Sequence, residues 1–288
     1  MMNEKIYING KLLNADNAKI SIFDRSFLYG DAVFETMRGY AGVIFRLDKH
    51  LDRLIRSLRV LKIRHTYTKD YLKEAINKTL RANKLKSAYA RLVVTRGQGR
   101  FGIGYKDSFT PNLIIVAKNF DGYPEWMFSK GVAAKITGAT NEYSPLSNIK
   151  TANYLNFILA RFDAQAAGFD EAILTNTKGH ITEGATSNIF LVKSDHIITP
   201  SINSGVLPGV TRSVIIEIAK KLKISIREKA VSRRELIQAD EVFLTNSLAE
   251  VLPVTKVDSK RIGAGIVSPI TKLLHISYQK QVIREILK

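Results

Sequence analysis

Cysteine is absent from the 288 residues of the chain. A disulfide framework, a cysteine-ligated metal or iron–sulfur cluster and a thiol nucleophile are therefore excluded. Long hydrophobic runs are missing too, and no segment approaches the roughly 20 apolar residues that a membrane-spanning helix needs. Residues 1–7 lack the apolar centre of a signal peptide. We therefore expect a cytoplasmic protein without a membrane segment, and we predict no metal site.

Acidic residues are scarce relative to basic ones: 26 Asp and Glu face 44 Lys and Arg, so the formal net charge is +18. Such an excess is compatible with nucleic-acid binding. The cations are scattered along the chain, however, and no RNA- or DNA-binding signature accompanies them. A generally basic surface that attracts anionic ligands is the preferred interpretation. A basic nucleic-acid-binding protein is retained as the non-enzymatic alternative.

The length suits one large or two ordinary domains with a substantial core. Hydrophobic residues make up 45% of the chain and charged residues 24%, which is usual for a globular protein. We predict an N-terminal domain over 1–118, an interdomain linker over 119–130 and a C-terminal domain over 131–288.

The segment 147–192 combines a helix with two strands. Four apolar residues recur at helical spacing and predict an amphipathic helix: Leu155, Leu159, Phe162 and Ala166. Gly168 is expected to end that helix. Strands are predicted over 171–175 and 189–192, with a hairpin turn over 176–179.

Lys150 lies just before this helix and Glu183 just after the hairpin turn. A lone lysine is usually a solvated surface charge, and a glutamate near a hairpin is often exposed as well. A lysine and a glutamate held by rigid neighbours would nevertheless suit a cofactor with an aldehyde and a ring nitrogen.

Two strands in the first half of the chain carry polar and aromatic residues in alternation. The strand 32–40 places Phe34 and Arg38 on one face and Glu35 on the other, and the strand 87–95 places Tyr89 and Arg91 on one face. Helices are predicted over 48–61 and 70–83. The glycine-rich loop 96–104 matches neither a Rossmann nor a P-loop spacing.

The segments I-K-x-x-N-Y-L, beginning at Ile149, and T-E-G-x-x-S-N-I-F, beginning at Thr182, carry a family resemblance. The chain resembles the fold-type IV pyridoxal-phosphate enzymes over nearly its full length. That family includes branched-chain aminotransferases, D-amino acid aminotransferases and 4-amino-4-deoxychorismate lyase. The resemblance implies a homodimer with a two-domain α/β (α+β) fold. Its smaller N-terminal domain would be α/β, and its larger C-terminal domain would hold the cofactor on a mixed, barrel-like sheet.

The resemblance also implies pyridoxal 5'-phosphate (PLP) as the cofactor and assigns roles around it. Lys150 would hold the cofactor covalently and move protons, Glu183 would face the ring nitrogen, and Tyr154 would bond to the ring hydroxyl. The residues implied at the phosphate are Arg53, Val210, Thr211, Ser247 and Leu248. Arg53 matches the family's phosphate arginine within His50-Leu-Asp-Arg53, and a planar guanidinium suits phosphate.

By the same resemblance, the substrate side of the pocket comprises Tyr29, Phe34, Arg38, Tyr89, Arg91, Arg100, Phe120, Tyr123 and Ala249. The segment Ser87-Ala-Tyr-Ala-Arg91 is similar to the branched-chain enzymes, in which the arginine accepts the γ-carboxylate of glutamate. We therefore predict a transaminase for L-branched-chain amino acids, with glutamate and 2-oxoglutarate as the other amino-acid and 2-oxo-acid pair.

Two departures keep other family members open. The lysine is followed by x-x-N-Y, whereas many branched-chain enzymes have x-G-G-N-Y. The loop carries Arg100, and its segment T-R-G-Q-G is similar to the lyase. A loop arginine is also a feature of the D-specific enzymes. D-amino acid aminotransferase and 4-amino-4-deoxychorismate lyase are therefore the alternative activities.

Overall fold

The computed structural model describes residues 4–99, 102–104 and 109–287. Internal contacts divide the chain into two units: unit 1 is Met1–Asp121 with Ile149–Asn153, and unit 2 is Gly122–Asn148 with Tyr154–Lys288. The division after Asp121 falls inside the predicted linker 119–130. The predicted domain boundaries stay a prediction, because this division does not show that either part folds alone.

Unit 1 is a six-stranded antiparallel sheet with two long helices. Its elements are β1 (Lys5–Ile8), β2 (Lys11–Asn14), α1 (Arg25–Tyr29), β3 (Ala32–Tyr40), β4 (Val43–Ile44), α2 (Leu47–Val60), α3 (Lys69–Ala82), β5 (Ala88–Thr95) and β6 (Leu113–Asn119). The strand order is β2-β1-β6-β5-β3-β4. These bounds agree with the predicted strands and helices to within a few residues.

The core of unit 1 lies between the sheet and these helices. Leu51, Leu54 and Leu58 of α2 are buried there with Leu72 and Ile76 of α3. The leucines of α2 recur every three or four residues, so they share one side of the helix. The apolar side of this helix therefore packs on the sheet.

Unit 2 is built on a mixed ten-stranded sheet. Its elements are α4 (Glu125–Ser129), β7 (Val132–Thr140), α5 (Leu155–Ala166), β8 (Glu171–Thr175), β9 (His180–Gly184), β10 (Asn188–Lys193), β11 (His196–Pro200), α6 (Val210–Lys221), β12 (Ile226–Lys229), β13 (Val231–Ser232), α7 (Arg233–Ile237), β14 (Glu241–Asn246), β15 (Glu250–Val257), β16 (Lys260–Arg261) and α8 (Pro269–Ile286).

The order of its strands is β12-β11-β10-β14-β15-β7-β8-β9-β13, with β16 paired to β15. Parallel pairs join β7 to β8 and to β15, and most other pairs are antiparallel. The last strands of this order, β9 and β13, return close to β11, so the sheet nearly closes on itself. The predicted mixed α/β fold with a barrel-like sheet is confirmed.

Helix α5 lies where it was predicted, but the side that packs against the sheet is not the side with the large apolar residues. Its large apolar residues Leu155, Leu159 and Phe162 are 52–67% exposed, whereas Ala160 and Ala164 are fully buried. The alanines pack with small residues of the neighbouring sheet, because short side chains let a helix backbone approach a sheet closely. Periodicity identified the helix correctly, but it did not identify which side packs within the chain.

The predicted hairpin has a different second strand. The turn 176–179 forms as expected, and the amide of Asn176 donates to the carbonyl of His180 at 2.8 Å. The strand that returns beside β8 is β9, however, while β10 pairs with β11 and β14. Glu183 therefore lies within a buried strand.

No helix in the described ranges is both long enough and apolar enough to cross a bilayer.

Candidate active site

Lys150 is fixed beside the start of β3 in unit 1. The amide of Phe34 donates to the carbonyl of Lys150 at 2.9 Å, and the amide of Ala152 donates to the carbonyl of Ala32 at 2.9 Å. The ammonium group of Lys150 lies 4.6 Å from the centroid of the Phe34 ring. Backbone pairing thus holds the lysine although it lies outside any regular element.

Strands β3 and β5 bring the predicted substrate residues of unit 1 onto one face. Their antiparallel register places Thr36 opposite Arg91 and Arg38 opposite Tyr89, and directly opposed residues share a face. The guanidinium of Arg91 lies 3.7 Å from the centroid of the Phe34 ring. The Phe34 ring therefore contacts both cations, Arg91 and Lys150.

Two further predicted residues, Phe120 and Tyr29, lie in unit 1. The guanidinium of Arg38 is 5.2 Å from the centroid of the Phe120 ring. The hydroxyl of Tyr29 accepts a hydrogen bond from the amide of Gly102 at 2.9 Å. Arg100 lies outside the described residues, so its predicted role is not tested.

Arg53 is buried on α2 and pairs with a carboxylate that the sequence did not single out. Its Nε donates to Oε1 of Glu35 at 2.7 Å, and its Nη2 donates to Oε2 at 2.7 Å. His50 Nδ1 lies 2.7 Å from the same Oε2. Glu35 is fully buried, and Arg53 and His50 are nearly so. We call these three residues the Glu35 cluster.

Burial and the charges within the Glu35 cluster shift the pKa values of Glu35 and His50. Burial would raise the pKa of the Glu35 carboxyl, but the charge and hydrogen bonds of Arg53, helped by His50, lower that pKa to about 2. Burial lowers the pKa of His50, and the charges of Arg53 and Lys150 act in the same direction against Glu35. The cluster therefore consists of a carboxylate, a guanidinium and a neutral imidazole. Lys150 is near enough for its charge to act on His50.

The signal for the Glu35 cluster was present in the alternation of β3. Glu35 shares a face with Val33 and Met37, which both belong to the core beneath the helices. A carboxylate on such a face needs a charged partner, and Arg53 is the arginine of α2 that is buried. The sequence alone could not choose it among Arg53, Arg56 and Arg59.

Glu183 lies on β9 in unit 2 and is held by uncharged donors. Its Oε1 accepts from Nδ2 of Asn141 at 2.8 Å. Its Oε2 accepts from the amide of Leu207 at 3.1 Å and from Nδ2 of Asn188 at 3.3 Å. These three N–H groups orient the carboxylate, and no motif of the sequence identifies them.

The start of α6 adjoins this carboxylate. Nδ2 of Asn188 also donates to the carbonyl of Leu207 at 2.9 Å. A Cβ at Gly209 would lie 1.9 Å from Oδ1 of Asn188, so any larger residue where the helix begins would displace the Asn188 side chain. Val210 and Thr211 are buried in the first turn. The N-terminal amides of a helix form a favourable position for an anion such as phosphate.

The turn after β14 is shaped by a side chain. Oδ1 of Asn246 accepts from the amides of Leu248 and Ala249 at 2.9 and 2.7 Å. Both amides belong to the turn whose residues are predicted to meet the phosphate and the substrate. The structure thus shows a preformed turn, and the ligand roles of Ser247, Leu248 and Ala249 stay predictions.

Tyr154 directly precedes α5, and its ring lies 5.0 Å from that of Phe157. Tyr123 is more than a third exposed just before α4. Their predicted roles are likewise untested.

The candidate residues fall into two groups. Unit 1 holds Tyr29, Phe34, Arg38, Arg53, Tyr89, Arg91, Phe120 and Lys150, and unit 2 holds Tyr123, Tyr154, Glu183, Val210, Thr211, Ser247, Leu248 and Ala249. An amine for an aldehyde, a buried carboxylate for a ring nitrogen, and a guanidinium with a helix N-terminus for phosphate are the groups that PLP needs. Within the described residues, no cluster of acidic and histidine side chains is arranged to hold a metal ion.

Comparison with known proteins identifies relatives over almost the whole chain. The family model for class IV amino-transferases matches residues 32–257. A Methanocaldococcus jannaschii protein, provisionally named branched-chain-amino-acid aminotransferase, is 39% identical over 272 residues, covering 94% of this chain and 93% of that protein.

Solved structures agree with the sequence relatives. The Escherichia coli branched-chain amino acid aminotransferase is similar with a TM-score of 0.93 at 32% identity, covering 97% of this chain and 95% of that one. The branched-chain aminotransferase of the thermophilic archaeon Thermoproteus uzoniensis, in a structure with norvaline, has a TM-score of 0.90 at 31% identity, covering 96% and 94%.

Proposed function

Because the chain belongs to the class IV aminotransferase family, we propose that it transfers the amino group of L-branched-chain amino acids to 2-oxoglutarate with PLP as cofactor. The observation that carries the proposal is the stacking of Arg91 on Phe34. This pair supplies an apolar surface and a cation at one position. A pocket that accepts both leucine and glutamate needs both.

Lys150 is proposed to hold the cofactor through its side-chain amine and to carry protons at the substrate. Bound PLP supplies a ring that withdraws electrons from the reacting carbon. Glu183 would meet the ring nitrogen, since a buried carboxylate favours a protonated nitrogen. Arg53, the start of α6 and the turn 247–248 would hold the phosphate, while Tyr154 would bond to the ring hydroxyl.

The space for an apolar substrate side chain is proposed to be lined by four aromatic residues: Phe34, Tyr89, Phe120 and Tyr123. Arg91 would accept the γ-carboxylate of glutamate by leaving the Phe34 ring. Stacking on an aromatic ring suits this role, because a cation–π contact at a partly exposed site stabilises by only about 0.5–1 kcal/mol. A carboxylate can therefore displace it. Tyr29, Arg38 and Ala249 are proposed to contact the rest of the substrate.

A second copy of the chain is proposed to cover the exposed apolar side of α5. Leu155, Ile158, Leu159 and Phe162 are all more than 40% exposed there, and contiguous apolar surface of this kind marks interaction sites. A homodimer would bury it. Sedimentation of the purified protein tests this assembly, and cell fractionation tests the predicted cytoplasmic location.

The experiment for the activity is a panel of amino donors with 2-oxoglutarate as acceptor. We expect turnover with L-leucine, L-isoleucine and L-valine, and none with D-alanine or with 4-amino-4-deoxychorismate. Turnover restricted to D-alanine or to the lyase substrate would replace the proposal by that activity. Purified protein that neither absorbs as a PLP enzyme nor binds added PLP would contradict every enzymatic interpretation.

A further inference from the structure

The Glu35 cluster joins β3 to α2 below the residues proposed to meet the substrate. Glu35 follows Phe34 directly, so its side chain points to the opposite side of the sheet from the ring that Lys150 and Arg91 contact. Arg53 reaches it from α2. One strand therefore orients the aromatic residue of the pocket and the carboxylate that binds Arg53.

The pairing of Glu35 with Arg53 is directional as well as electrostatic. Both carboxylate oxygens are used, one by Nε and one by Nη2 of the guanidinium. A guanidinium is a rigid planar fork, so this pairing through Nε and Nη2 fixes its plane and directs Nη1 away from Glu35. His50 adds a third contact at 2.7 Å and fixes the carboxylate itself.

We propose that Glu35 and His50 are positioning residues that hold the guanidinium of Arg53 in the one orientation that receives the cofactor phosphate. This inference rests on the proposed PLP function and adds two residues to it. Neither residue touches the cofactor in the proposal, because both act through Arg53. The burial of all three side chains explains why the arrangement would persist before the cofactor binds.

An account based on net charge alone predicts the opposite effect of removing Glu35 on phosphate binding. If only net charge mattered, removing the carboxylate would leave Arg53 more positive and would strengthen phosphate binding. In our proposal the effect on orientation outweighs the effect on net charge, because a buried guanidinium that loses its carboxylate partner is costly and would shift from its position. The direction of the change therefore separates the two accounts.

The test compares PLP with pyridoxal, which lacks the phosphate. The dissociation constants of both are measured by the absorbance change on binding to the cofactor-depleted full-length protein. The ratio of the pyridoxal constant to the PLP constant reports the contribution of the phosphate. A general loss of structure weakens both ligands, whereas a misplaced Arg53 weakens PLP alone.

We expect Glu35→Gln to reduce this ratio by roughly 10- to 100-fold, the range for lost charge-assisted hydrogen bonds. Glu35→Asp keeps the charge and should retain part of the ratio. His50→Ala removes the weaker contact and should reduce the ratio by about 2- to 10-fold. It serves as the second variant if Glu35→Gln does not fold. In an Arg53→Met background, Glu35→Gln should change the ratio no further.

Glu171 offers a matched control. It is also a buried carboxylate paired with an arginine, since Nη1 of Arg161 lies 2.6 Å from its Oε1. Arg161 is not a candidate site residue. Glu171→Gln should therefore leave the ratio unchanged.

An unchanged or increased ratio in Glu35→Gln would overturn the inference, as would an equal fall in Glu171→Gln. Wild-type protein that fails to bind PLP through Lys150 would instead overturn the proposed function. The two failures are distinguishable, because the first requires a wild type that binds PLP and prefers it to pyridoxal.

Discussion

Glu35 in unit 1 and Glu183 in unit 2 are both buried carboxylates, but the charges of their partners differ. Glu35 is bonded to the guanidinium of Arg53, so its negative charge is neutralised inside the protein. Glu183 is held by two asparagine amides and a backbone amide, which are all uncharged. These three N–H groups set the direction of the Glu183 carboxylate, which is what a carboxylate that meets a ligand needs. Glu35 instead orients a cation.

Replacing Lys150 should have the largest effect on activity, because Glu183 directly and Glu35 through Arg53 are both proposed to act on the cofactor that Lys150 holds. Lys150→Ala removes the amine proposed to hold the cofactor, so transamination should fall on the order of 10³-fold or more. Borohydride reduction and peptide mapping of the wild type should place the pyridoxyl group on Lys150. Lys178→Ala, at the exposed turn of the β8–β9 hairpin, is the control. A pyridoxyl group on Lys130, Lys135 or Lys178 would refute the assignment.

Acid unfolding should reveal how much the ion pair of Glu35 with Arg53 stabilises the protein. The folded pKa of Glu35 is lowered from 4.5 to about 2, so its ionisation stabilises the protein above pH 4.5 and this stabilisation is lost as the pH falls towards 2. The linked contribution is about 3 kcal/mol. Urea unfolding of wild type and Glu35→Gln across this window should show a steeper loss in the wild type.

Glu171 supplies the control for this acid experiment. Burial raises the pKa of Glu171, against the charge and hydrogen bond of Arg161. Its ionisation therefore opposes folding, and Glu171→Gln should keep the steep acid loss of the wild type. Parallel curves for wild type and Glu35→Gln would mean that the Glu35–Arg53 pair contributes no net stability.

Glu183→Gln should separate turnover from cofactor binding. Glutamine keeps the shape but removes the charge, so PLP should still bind while the rate of transamination falls on the order of 10²-fold. Glu35→Gln should behave in the reverse way and weaken PLP binding more than the rate with saturating PLP. If both variants lose rate and binding to the same degree, the contrast between the two carboxylates has no functional meaning.

Arg91→Leu extends the contrast to arginines, since Arg91 is stacked on a ring whereas Arg53 is paired with a carboxylate. We expect kcat/KM for glutamate to fall by about 30-fold, or 2 kcal/mol, while leucine is largely unaffected. Arg56→Leu, at an exposed position of α2, is the control. Equal losses for leucine and glutamate would indicate a structural role for Arg91.

Much of the fold could be predicted because its signals are local. The spacing of Leu155, Leu159 and Phe162 predicted a helix where α5 lies, and Gly168 follows shortly after its last residue. The same spacing could not show that Ala160 and Ala164 face the sheet, because periodicity finds a helix but not its partner. The choice of β9 over β10 as the neighbour of β8 likewise depends on long-range pairing.

The candidate site was predicted less completely than the fold. Resemblance supplied Lys150, Arg53 and Glu183, but not the contacts that hold them. Glu35 meets Arg53 across 18 residues, and Asn141 meets Glu183 across 42. Such contacts depend on how strands and helices pack, so no local pattern reports them.

The close contact between Gly209 and Asn188 determines how substitutions at these two positions should combine. The φ of Gly209, −68°, suits any residue, so backbone freedom is not what glycine provides there. A Cβ would instead displace Asn188, which donates to Glu183. In a mutational scan, Gly209 and Asn188 would therefore behave as one position: substitutions at either would resemble Glu183 defects, and combining them would add little.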